Sequence, residues 1–240
     1  MNSPVSAIPA LAWIALVALN FAVQGIDFAS ERRGRAYAVK RITTPMLLFG
    51  ALVLAWIRAG SFPGLPGGIL LAMGLGEIGI EGSPVVQNGE MPERTPWTVT
   101  AAGLLFLGVN LVLGVALLGS SGGRPTAILG ALAGGVVFAG VLDVLVLRFG
   151  RNAAAQRTNL ILYSAGLAVL AAGVLADAAG GFGALGRAAA LLTVSDSLVL
   201  IRMGAGWRRE NPSERRILGA FLAVILILYV LFMASLATRL

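Results

Sequence analysis

Neither cysteine nor histidine occurs among the 240 residues. Disulfides, thiolate nucleophiles, imidazole bases and the common zinc and haem ligands are therefore excluded. Charge is scarce too: Asp, Glu, Lys and Arg together make 12% of the chain, against 58% hydrophobic residues. With a mean hydropathy of +0.88, the chain does not read as a water-soluble domain. Any chemistry falls to carboxylates, hydroxyls, amides or a carboxylate-bound hard cation such as Mg²⁺. No cofactor and no metal site are expected.

What is present is apolar sequence in lengths that suit about 30 Å of hydrocarbon, recurring along the whole chain. The expected fold is all-α: a single integral membrane domain over 1–240, a polytopic bundle of eight transmembrane helices. The expected spans are 5–23, 43–57, 69–80, 97–118, 126–147, 158–176, one after the Gly180–Gly183 turn, and 217–237. Helix two is expected to start at Thr43-Thr44-Pro45, where hydroxyls can cap and proline fits the first turn. Gly130 and Gly134 on helix five sit at the small-xxx-small spacing of packed membrane helices. No internal repeat is evident.

The net charge of +7 is placed for a membrane. The loops after helices one, three, five and seven hold fourteen Lys and Arg, and the opposite side holds four. By the positive-inside rule the first set is cytoplasmic and both termini lie outside. No basic, aromatic-studded region for nucleic acid accompanies this charge. The expected setting is a bacterial inner (plasma) membrane.

Polar residues inside apolar runs carry the functional signal, since a carboxylate at mid-membrane costs roughly 2.5–3.5 kcal/mol on insertion scales. Asp196 lies within Ala190–Gly204, flanked by Ser195 and Ser197, and Glu77 lies on helix three. With Asp27, the 40–44 segment, Asn159 and Tyr163, they fall in one half of the membrane and imply a polar pocket open to the cytoplasm. Asn110 and Tyr229 are further candidates for polar contacts. Asp143, one turn from Arg148, reads as a topological or ion-pair residue.

Three segments resemble one family. Lys40-Arg-Ile-Thr-Thr-Pro45 is similar to the start of helix two in the lysoplasmalogenase (YhhN-like) family of integral membrane hydrolases. Gly76-Glu77 resembles that family's Gly-Asp on helix three, and Leu192-Thr-Val-Ser-Asp-Ser-Leu198 its Phe-x-x-Ser-Asp-Ser-Leu on helix seven. The chain differs where the family has Gly-His on helix four, offering Asn110, and in carrying a single helix-eight tyrosine, Tyr229.

The resemblance implies cleavage of the vinyl ether of a membrane lysophospholipid, a lysoplasmalogen, to a fatty aldehyde and a glycerophospho-alcohol. Glu77 and Asp196 would be the catalytic pair. Lys40, Thr43, Thr44, Asn110, Tyr163, Ser195, Ser197 and Tyr229 would contact the substrate, with Lys40, Thr43 and Thr44 gripping its phosphate. A different class stays open beside it: a non-catalytic lipid-binding protein or proton-coupled carrier of small solutes.

Overall fold

In a computed structural model the described residues are 7–29, 35–81, 97–120, 125–150, 157–205, 207 and 211–238. They form eight α-helices: α1 Ala7–Ala29, α2 Arg35–Ala59, α3 Gly64–Glu81, α4 Trp97–Ser120, α5 Pro125–Phe149, α6 Arg157–Ala179, α7 Ala184–Ala205 and α8 Pro212–Ala237. Seven are long and apolar enough to cross a membrane, and α3 is a shorter apolar helix. The fold is the expected helical membrane bundle. Arg32, Arg33, the polar stretch 82–96 and Arg151 lie outside the described residues, as does the side chain of Asn159.

Four boundaries differ from the sequence reading by five residues or more: α1 runs on to Ala29 rather than 23, α3 begins at Gly64 rather than 69, and α2 and α8 also begin early. α2 begins at Arg35, a full two turns before Thr43, so Pro45 lies inside the helix. An internal proline withholds one amide from the ladder, here the partner of the Arg41 carbonyl. Membrane helices tolerate this because neighbouring groups satisfy what is freed. α8 begins at Pro212. Asn211 caps it, its Oδ1 accepting from the Ser213 amide at 3.1 Å, and proline takes the first turn, where its missing N–H costs nothing.

Six helices close a ring in the order α2, α3, α4, α6, α7, α8 and back to α2. α1 packs outside the ring on α2, and α5 outside it on α6 and α7. The interior is lined by Leu48, Leu70, Met73, Leu113, Leu167 and Phe232, none measurably exposed. At the α4–α6 seam the two backbones approach closely. A Cβ on Gly173 would lie 2.6 Å from the Gly114 carbonyl oxygen, so only glycine fits there. Outward-facing Ile, Leu and Val side chains on every helix but the interior faces leave a surface suited to lipid.

α1 is joined to α2 by polar groups. Trp13 Nε1 donates to the Leu47 carbonyl at 2.9 Å, and Asn20 Nδ2 donates to Thr43 Oγ1 at 2.8 Å and Thr44 Oγ1 at 3.2 Å. Gln24 Nε2 in turn donates to Asn20 Oδ1 at 2.9 Å. Residue 13 meeting 47 while 20 meets 43 shows the two helices running antiparallel.

Candidate functional site

Five ring helices each send one polar side chain inward. α7 supplies Asp196, 5% exposed, and α4 supplies Asn110, 1% exposed. Asn110 Nδ2 donates to Asp196 Oδ2 at 2.8 Å. α6 presents Gly166 opposite Asn110, where a Cβ would lie 3.4 Å from the Asn110 Cβ and press on the tip of the Leu107 side chain. The Tyr163 hydroxyl, from α6, is within hydrogen-bonding reach of the same carboxyl.

The second carboxyl arrives from the other side of the ring. Glu77 on α3 is half-buried, and the Tyr229 hydroxyl of α8 donates to its Oε1 at 3.3 Å. Both tyrosines lie within electrostatic range of both carboxyls. Glu77, Asn110, Tyr163, Asp196 and Tyr229 are thus one cluster, deep in an apolar bundle.

The remaining sequence candidates are placed elsewhere or serve their own helices. Thr43 and Thr44 are buried on the α1–α2 seam and accept from Asn20. Because α2 starts at Arg35, the amides of residues 43 and 44 are interior to a helix, and no helix N-terminus is available there for a phosphate. Lys40 is partly buried, one turn from Thr43, whose hydroxyl leans toward its carbonyl at 3.4 Å. Ser197 donates to the Thr193 carbonyl at 2.7 Å, bonding back along α7. Ser195 is buried beside Asp196. Asp143 takes its hydrogen bond from Ser164 at 2.8 Å, across the α5–α6 seam.

Sequence reasoning passed over Asn20, fully buried on α1. Its signal was available, as a lone amide in an apolar run, which needs a partner in hydrocarbon. Among the described residues no three acidic side chains gather as metal ligands.

Chemically, the cluster offers two carboxyls that can give or take a proton, two phenols that can donate to them, and an amide that fixes one of them. Burial of Asp196, Asn110 and Tyr229 strengthens the charges and hydrogen bonds among them. Such a site suits proton transfer to a neutral, apolar substrate. Compared with known proteins, the chain matches no protein-family model, no curated protein and no solved structure.

Proposed function

We propose that this protein hydrolyses the vinyl ether bond of a lysoplasmalogen-type lipid within the membrane, with Glu77 and Asp196 as its acid pair. The observation that carries the reading is that these two carboxyls, from α3 and α7, share two tyrosines, Tyr163 and Tyr229, that lie within electrostatic range of both, and that each has its own hydrogen-bond donor. Protonation of the vinyl ether's β-carbon by one carboxyl yields an oxocarbenium ion, stabilised by the other as a carboxylate. Water adds to the cationic carbon and loses a proton to that carboxylate. The resulting hemiacetal collapses to a fatty aldehyde and the glycerophospho-alcohol. Glycoside hydrolysis uses two carboxyls around a similar cation in the same way.

Lys40, near the basic end of the bundle, is the proposed contact for the lipid phosphate, as a point charge on a flexible stem. The setting is the plasma membrane of a bacterium, with both termini outside. The test is aldehyde release from a lysoplasmalogen by purified protein. Lys40→Met should weaken turnover of the phosphorylated lipid far more than of its glycerol analogue, and Arg58→Gln, at the opposite end, should spare both. Equal losses on the two lipids would remove Lys40 from the site.

A second reading, a proton-coupled carrier, is favoured by the depth of Tyr229. It lies 17 residues into α8, or about 25 Å at 1.5 Å per residue, so the cluster reaches past mid-membrane. Proton uptake by vesicles holding the protein, driven by a solute gradient and lost in Asp196→Asn, would replace the hydrolase with the carrier.

A further inference from the structure

Glu77 and Asp196 stand 119 residues apart, and so do Asn110 and Tyr229. The same shift carries each of α1, α2, α3 and α4 onto α5, α6, α7 and α8, with every end matching to within five residues. Burial follows. In α3 the buried positions 67, 69, 70, 73, 74 and 76 fall on buried positions 186, 188, 189, 192, 193 and 195 of α7. In α4 and α8, positions 110, 113, 114 and 117 fall on 229, 232, 233 and 236, all buried. Along α2 and α6, residues 45–52 and 164–171 agree at every position.

The packing repeats as well. A half-turn of the ring α2, α3, α4, α6, α7, α8 exchanges its two halves, and α1 lies on α2 as α5 lies on α6. The exchange also converts one hydrogen bond of the site into the other. α4 donates to the acid of α7 through Asn110, and α8 donates to the acid of α3 through Tyr229. Similar helix lengths alone would not produce that crossing. Four helices per unit return the chain to the side it left, so the units are parallel and their axis runs along the bundle.

We infer that the chain is a tandem pair of four-helix repeats, α1–α4 and α5–α8, related by a pseudo-two-fold axis through the site. Each repeat places an acid on its third helix, and the fourth helix of each repeat positions the acid of the other. Asn110 and Tyr229 are therefore positioning residues, equivalent in place though one is an amide and the other a phenol. The equivalence of the site stops at the matched pair Thr44 and Tyr163. Tyr163 reaches Asp196, whereas its counterpart Thr44 is turned to Asn20. Asp196 takes a hydrogen bond from Asn110 and has the Tyr163 hydroxyl within reach, whereas Glu77 takes its hydrogen bond from Tyr229. A site of two like halves has become a site with two unlike carboxyls.

The inference is independent of the hydrolase reading, and so is its test. The absence of cysteine allows spin labels to be placed on introduced cysteines in the whole protein. Labels at Ala59 and Gly119 should give the same distance distribution as labels at Ala178 and Thr238, the matching positions of the second repeat. Clearly different distributions would overturn the repeat. For the crossing, infrared carboxyl bands are assigned by their loss in Asp196→Asn and Glu77→Gln. Asn110→Leu should then shift only the Asp196 band, and Tyr229→Phe only the Glu77 band. Asn110→Ala replaces Asn110→Leu where the latter does not fold. Shifts that ignore this pattern would overturn the positioning roles. Wild type that releases no aldehyde leaves both arms readable and removes only the proposed activity.

Discussion

Replacing Asp196 separates its chemical role from its structural one, because two substitutions of similar size treat its partners differently. In Asp196→Asn the new amide oxygen can still accept from Asn110 Nδ2, at 2.8 Å in the wild type. Its new NH₂ can donate to the Tyr163 hydroxyl, which accepts as readily as it donates. Asn110 stays satisfied and the Tyr163 hydroxyl keeps a partner while its own proton loses an acceptor, so the variant should fold and melt within about 1–3 kcal/mol of wild type. Turnover should nonetheless fall by roughly 10²–10⁴-fold, the usual cost of losing a general acid or base. Asp196→Leu instead strands the Asn110 amide and the Tyr163 hydroxyl in an apolar interior. At about 1–3 kcal/mol for each unsatisfied group, the loss is roughly 2–6 kcal/mol. The measurements are aldehyde release from a lysoplasmalogen and thermal unfolding in detergent. An Asp196→Asn protein that keeps wild-type turnover would refute the catalytic assignment. An Asp196→Leu protein as stable as Asp196→Asn would refute the hydrogen-bond argument.

Glu77→Asp should lower turnover, since it withdraws the carboxyl by about one bond length (~1.5 Å) from a Tyr229 contact already at 3.3 Å; an unchanged or raised rate would show that the pocket is built for the shorter acid. Gly173→Leu should destabilise the bundle by about 1–3 kcal/mol through overpacking against α4, while Gly103→Leu, facing open space, should leave the melting temperature unchanged. A reporter fused at Leu240 should be read on the outer side of the membrane; a cytoplasmic signal would invert the topology and move the Lys40 end of the bundle outside.

The helix count and the choice of Glu77 and Asp196 came from a robust signal, because a long apolar run and a charge inside it are both costly to explain otherwise. The ends of α2 and α8 were harder to read. Arg35–Arg41 looks like a loop by charge, yet its residues are good helix formers, and Thr-Thr-Pro mimics a helix start. Thr43 and Thr44 were assigned to a phosphate because hydroxyls advertise no particular partner. Only the fold shows Asn20 opposite them. The repeat was hidden for a physical reason. A lipid-facing or core position asks only for an apolar side chain, so Met73 answers Leu192 and Leu113 answers Phe232 without any identity. Few identities survive at matched places, among them Gly67 with Gly186 and Leu117 with Leu236.

The two seams that the half-turn exchanges are not equally closed. α4 and α6 meet backbone to backbone at Gly114 and Gly173, whereas α8 and α2 touch over much less of their length. Mechanically the ring is a split hoop, stiff on one side and compliant on the other. Across the compliant side Arg58 of α2 reaches the Ala237 carbonyl of α8 at 3.5 Å. Strain applied to such a hoop concentrates at the split. A molecule entering sideways from the bilayer would meet less resistance between α2 and α8 than between α4 and α6.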